Sequence, residues 1–153
     1  MDHSIKAAEL FVGGCNCAQA VFLAFTDVTG FDTRTAAKLS APFGGGMGRM
    51  REVCGAVSGM LMVLGTLYGY DETVKDDAVK QQHYADIQAL AGKFREECGS
   101  IICRELLDNP PSDPKPTPRT EEFYKIRPCA RMVMVAARLM DEYIAAHPLD
   151  EKA

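Results

Sequence analysis

The chain has no tryptophan, only three histidines, and no Cys-x-x-Cys pair anywhere among its six cysteines. The missing pair excludes a thioredoxin-type dithiol, a covalent c-type haem, and a zinc ribbon or finger built on close cysteine pairs. No basic stripe is present. With a net charge of -4 the chain has little with which to neutralise phosphates, so a nucleic-acid partner is not expected. Strand-type alternation of apolar and polar residues is also missing, as is any internal repeat. A composition of 47% apolar and 25% charged residues excludes collagen-like and disordered chains. At 153 residues the chain is too short for a barrel enzyme or a two-domain dinucleotide enzyme, and it fits one domain over residues 1–153 with a core of its own.

The opening residues 1–11 carry acids and no long apolar run, so they do not read as a secretory signal. A cytoplasmic location with reduced thiols is therefore expected. Residues 53–70 hold no charged residue, eighteen positions in all, which is the threshold for a membrane helix. Gly55, Gly59, Gly65 and Gly69 interrupt the run, and amphipathic helices elsewhere can surround it. It therefore reads as the buried central helix of a bundle, with no membrane involved.

Periodicity predicts helices almost throughout: an all-α, single-domain bundle of about five helices. The first covers residues 4–11 and breaks at Gly13 and Gly14. Asn16 caps the second, which Gly30 ends. Asp32 caps a short helix over 33–39, and the 44–48 segment is a loop on glycine content. The apolar helix covers 51–68. Asp71 caps a long helix over 71–107 with Ile87, Leu90, Ala91, Phe94, Cys98, Ile101 and Ile102 as its stripe. Five of the eight prolines fall in a surface loop at 108–118, and the last helix enters at Pro128 and ends near His147.

On this layout the cysteines separate. Cys17 follows the cap Asn16, Cys129 follows Pro128, and Cys54 lies near the start of the apolar helix. A helix start offers free N–H groups and partial positive charge, which stabilise a thiolate and lower its pKa. Arg49 and Arg51 flank Cys54, and Arg127 and Arg131 flank Cys129, with the same effect expected. Cys98 falls on the apolar stripe and reads as core. Cys103 lies roughly 140° round from it, in line with Gly92 and Gly99, on a face of small residues that lets a bound group approach. Cys15 sits in the glycine turn, where Cys15-Asn16-Cys17 offers at most a strained bridge. His3, His83 and His147 are scattered and read as surface residues.

Gly55 and Gly59 lie four apart on one helical face. Each costs about 1 kcal/mol against alanine inside a helix, which implies close approach by another helix or by a bound group. The loop residues Gly44, Gly45 and Gly46 can offer backbone N–H groups to an anion or to cluster sulfides. No strand precedes that loop and no Gly-Lys-Ser/Thr follows, so it is not a nucleotide loop. Four cysteines from different helices can hold an iron–sulfur cluster, hold another soft metal, or pair as disulfides, and spacing does not choose among these.

Taken in order, Asn16-Cys17-Ala18-Gln19-Ala20-Val21, Gly44-Gly45-Gly46-Met47-Gly48-Arg49, Cys54-Gly55-Ala56-Val57-Ser58-Gly59, Gly99-Ser100-Ile101-Ile102-Cys103-Arg104 and Cys129-Ala130 resemble the C_GCAxxG_C_C family, which is described as redox-active and marked by four cysteines and a Cys-Gly-Ala-x-x-Gly motif. The resemblance covers nearly the whole chain. It implies that Cys17, Cys54, Cys103 and Cys129 are the functional and metal-binding set, and it says nothing for Cys15 and Cys98. A similar cysteine domain stands beside the haem part of split-Soret-type cytochromes, where a non-haem iron–sulfur centre is suspected. The leading expectation is an electron-transfer protein with an iron–sulfur cluster and an unidentified redox partner. The alternatives are a metal-free thiol–disulfide protein and a non-enzymatic helical module for partner binding or homodimerisation.

Overall fold

The computed structural model describes residues 2–149. Met1 and residues 150–153, the ends of the expected 1–153 domain, lie outside the described residues. Among the described residues nine right-handed α-helices follow in order, besides a 3-10 turn (Ala41–Phe43) and the left-handed Gly44–Met47 segment: α1 (His3–Val12), α2 (Cys17–Ala24), α3 (Thr26–Thr29), α4 (Thr33–Ser40), α5 (Gly55–Tyr68), α6 (Asp77–Cys98), α7 (Cys103–Leu106), α8 (Glu121–Ile126) and α9 (Cys129–Ala146). The all-α expectation holds: among the described residues there is no strand, only an isolated antiparallel bridge between Val53 and Ile102. The helices outnumber the expected five because several predicted elements are broken.

The caps explain most boundaries. Asp2 accepts from the Ser4 amide and starts α1. Asn16 and Gln19 form a reciprocal capping box on α2, the Asn16 side chain taking the Gln19 amide and the Gln19 side chain taking the Asn16 amide. Asp32 accepts from the Thr35 amide at α4. Gly30, at φ 81°, ends α3 rather than one continuous second helix, because the chain bends out of helical geometry at the buried Phe25.

The long helix expected over 71–107 is cut at both ends. Asp71 instead closes a turn on the Thr73 amide, and Asp76 caps α6. At the other end Gly99 adopts φ 96°, a left-handed cap open to glycine, and stops the helix before Ile101. Cys103 therefore sits on no small-residue face. Gly92 looks onto open space, and Cys103 begins a helix of its own.

The apolar segment is a helix as expected, but it starts at Gly55 rather than Arg51. Nor is it the most enclosed element: Gly65 and Thr66 face outward, whereas six of the eight residues of α2 are buried. Helices α1, α4, α5 and α9 pack round α2. Gly59 permits the α2–α5 crossing, since a Cβ there would lie 2.7 Å from the Ala18 carbonyl oxygen. Among the described residues no helix is long and apolar enough to cross a membrane.

His3 is not a surface residue. It is 4% exposed and stacked on Phe25 with ring centroids 4.1 Å apart. Its Nδ1 lies 2.5 Å from Asp141 and its Nε2 lies 3.0 Å from Asp27, so it ties α1 to α3 and α9. His147, just past α9, is exposed as expected, and His83 is half-buried.

Candidate functional site: a four-cysteine cavity

All four cysteines of the expected set stand at helix starts. Cys17, Cys103 and Cys129 are the first residues of α2, α7 and α9, and Cys54 is the N-cap of α5. The four line one cavity of about 340 Å³. Cys54 and Cys103 are buried, Cys17 and Cys129 half-buried, and all six cysteines are free thiols. Cys15 and Cys98 do not line this cavity; both are half-buried and packed against the core.

Backbone pairing brings two of the four together. The Cys54 amide donates to the Ile101 carbonyl at 2.7 Å, and the Cys103 amide donates to the Glu52 carbonyl at 2.6 Å, either side of the Val53–Ile102 bridge. The glycine segment lies beneath this bridge. Gly45, Gly46, Met47, Gly48, Arg49 and Arg51 all have positive φ, so the chain winds left-handed here for more than a full turn. Glycine is required at Gly46, where a Cβ would lie 2.7 Å from the Cβ of Cys103. A Cβ on Gly55 would likewise collide with the Cys17 sulfur. Gly44 and Gly45 line the cavity, and the Gly45 amide faces the Cys17 sulfur. Gly44 is also pressed against the Asn16 side chain. Gly46 lies under Cys103, and Gly59 lies at the helix crossing; neither lines the cavity.

The expected lowering of the thiol pKa values is overturned. Burial pushes the Cys17 thiol above its ordinary value of 9.0, although the Gly45 and Ala18 amides pull the other way. Burial pushes Cys54 well above that value, with the nearby Cys17 adding to it against the Ala56 and Val57 amides. Cys129 is pushed up to about 12 by burial and by Cys17, with Arg127 opposing. Loss of hydration outweighs the helix starts. The arginines are also distributed differently from expectation. Arg51 places Nη1 3.7 Å from the Cys103 sulfur, and Arg131 turns away to the Glu97 carbonyl.

The proline-rich segment is exposed as expected, but it is also fastened across the cavity. Pro114, Pro116 and Thr117 contribute to the lining. Arg49 donates to the Asp113 carbonyl at 2.7 Å and to Thr117 Oγ1 at 2.8 Å, and Arg51 Nε donates to the Pro111 carbonyl at 3.0 Å. Beyond it, Thr120 caps α8, which brings Phe123 to the cavity. This helix and the strap were missed from the sequence, although Thr120 followed by Glu121 and Glu122, with Lys125 in the last turn, is a helix signature.

Fold and site together define an all-helical protein with a four-cysteine cavity. Residues 15–143 match the model of the family described as "Putative redox-active protein (C_GCAxxG_C_C)", and the chain belongs to that family. Neither the curated proteins nor the solved structures gave a match.

Proposed function

We propose that the cavity is a redox centre in which Cys17, Cys54, Cys103 and Cys129 ligate an iron–sulfur cluster for electron transfer. The supporting observation is that these four thiols, carried on the starts of four helices, line one cavity. Four cysteine thiolates are the usual ligand set of such clusters. Among the described residues, no three His, Cys, Asp or Glu side chains are gathered as they would be to hold a metal ion. Cys17, Cys54, Cys103 and Cys129 would hold the cluster, with inorganic sulfide completing the iron coordination, and their shared cavity supports that reading.

When bound, the cluster would supply one-electron transfer. The chain's own part is to exclude water and to aim N–H donors at sulfur, which sets the potential of such a centre. The Gly45 amide faces Cys17, the Ala56 and Val57 amides face Cys54, and Arg51 Nη1 lies against Cys103. Burial opposes bare thiolates, so loading would release protons and the metal would carry the compensating charge. The motif's likeness to the cysteine domain of split-Soret cytochromes points the same way. The proposal places the protein in a reducing cytoplasm with an unidentified redox partner.

The metal-free thiol–disulfide alternative needs an attacking thiolate. Burial raises the Cys17, Cys54 and Cys129 thiols, which makes these three poor attacking groups. Iron and acid-labile sulfide assayed on anaerobically purified protein, with its visible spectrum, test the proposal. Both elements with cysteinate-to-iron absorption are expected. Protein without iron, whose four thiols pair on oxidation, would establish the alternative.

A further inference from the structure

Four arginines, Arg49, Arg51, Arg119 and Arg127, line the same cavity as the cysteines, and no aspartate or glutamate does. Among the described residues none of the four has a carboxylate within ion-pair distance. The ion-paired arginines are Arg104, with Glu52, and Arg138, with Glu97 and Glu142. This is a local excess of positive charge in a chain of net charge -4.

Three of the arginines are served by neutral groups. Half-buried Arg49 is spent on the strap. Arg119, at the exposed rim, donates to the Phe11 and Cys15 carbonyls and lies 4.4 Å from the Phe11 ring. Arg127 lies over the Phe123 ring at 5.2 Å. Arg51 differs: it is 4% exposed, its Nε is held by Pro111 and its Nη1 by Cys103, but its buried Nη2 has no partner. A buried charged donor without an acceptor is strongly unfavourable. Arg51 also has φ 61°, a left-handed backbone that a side-chain-bearing residue rarely adopts, so the fold bears strain at this residue.

We propose that, when no cluster fills it, the cavity takes a small inorganic oxyanion, of the sulfate or phosphate type, drawn to the Arg51 guanidinium beside the Cys103 thiol. The positive charge of Arg49 and Arg127 adds to the attraction. At about 340 Å³ the space is at the lower end of small-molecule sites, which favours such an anion over a nucleotide. The site stands on the arginines; a cluster ligated by Cys103 would exclude the anion, so the two are alternative occupants of one cavity.

The test uses the full chain, reduced, metal-stripped and anaerobic, titrated calorimetrically with sodium sulfate and then sodium phosphate at constant ionic strength set with chloride. Saturable binding of at least one is expected. At saturation the iodoacetamide alkylation of Cys103, read by mass spectrometry, is expected to slow several-fold while that of Cys98 does not change. Arg51→Met is expected to weaken binding about tenfold or more, the loss of one charge-assisted hydrogen bond, whereas Arg104→Gln, on an exposed ion pair, leaves it unchanged. Three results would overturn the proposal: no saturable binding of either anion, equal protection of Cys98 and Cys103, or equal loss in both variants. Should Arg51→Met fail to fold, the protection pattern in the unaltered protein decides. Because no iron is present, a positive result stands even if the cluster assay fails.

Discussion

Cys54 and Cys103 are fixed to one another through the backbone: the Cys54 amide donates to the Ile101 carbonyl at 2.7 Å and the Cys103 amide to the Glu52 carbonyl at 2.6 Å, either side of the Val53–Ile102 bridge. Their separation is therefore set by main-chain pairing rather than by rotamers. The left-handed glycine turn carries that pairing, with the Arg51 and Glu52 amides donating back to the Gly45 and Gly46 carbonyls.

The turn gives a first prediction. Gly46→Ala places a Cβ against Cys103 at φ 70° and should destabilise the protein by about 2 kcal/mol or more in urea unfolding. Gly92→Ala, inside α6 with nothing within 4 Å, should stabilise it by about 0.5–1 kcal/mol. Equal effects at the two sites would show that the turn has no special role.

The raised thiol pKa values predict a pH dependence for the reduced, metal-free protein. A thiol whose folded pKa lies above its unfolded value binds more protons in the native state at alkaline pH. Its contribution is complete below the unfolded value near 9.0 and is lost as pH rises towards about 12 for Cys129. Melting temperature should fall steadily over that window, and replacing Cys129 by alanine should flatten the fall.

The His3 network should matter to stability and not to the cavity. Asp141→Asn removes the carboxylate charge that faces the His3 ring and backbone amide, at a cost of about 1–2 kcal/mol in unfolding experiments. Its iron content and thiol reactivity per folded molecule should match those of the unaltered chain.

The strap should loosen when its anchor goes. Arg49→Ala deletes the hydrogen bonds to Asp113 and Thr117, and hydrogen exchange over 110–120 is expected to quicken several-fold, with faster alkylation of Cys17. Unchanged exchange would mean that the strap is held elsewhere.

Where a single residue type decides a local conformation, the sequence was readable. Asn16, Asp32 and Gly30 end or begin helices as their chemistry requires, and Cys17, Cys54 and Cys129 were legible as helix-start thiols from Asn16, the glycine loop and Pro128. Cys103 was selected for a reason the structure replaces. An apolar stripe that continued through Ile101 and Ile102 masked Gly99, whose left-handed cap turns the chain back into the bridge with Val53. The strap was beyond reach for a different reason. Its hold depends on Arg49 and Arg51 meeting carbonyls some sixty residues away, and nothing in local periodicity encodes such a pairing. The same is true of His3, whose burial is set by Asp27 and Asp141 rather than by its neighbours in sequence. Burial of the thiols also appears only in three dimensions, and it reverses the expected direction of their pKa shifts.

The central claim is tested most directly by iron and acid-labile sulfide per chain, measured on anaerobically prepared protein carrying Cys103→Ser beside protein carrying Cys98→Ser. The account predicts that the Cys98 variant retains the iron and sulfide of the unaltered chain and the Cys103 variant loses most of both. Equal contents in the two variants, or none in the unaltered protein, would contradict it.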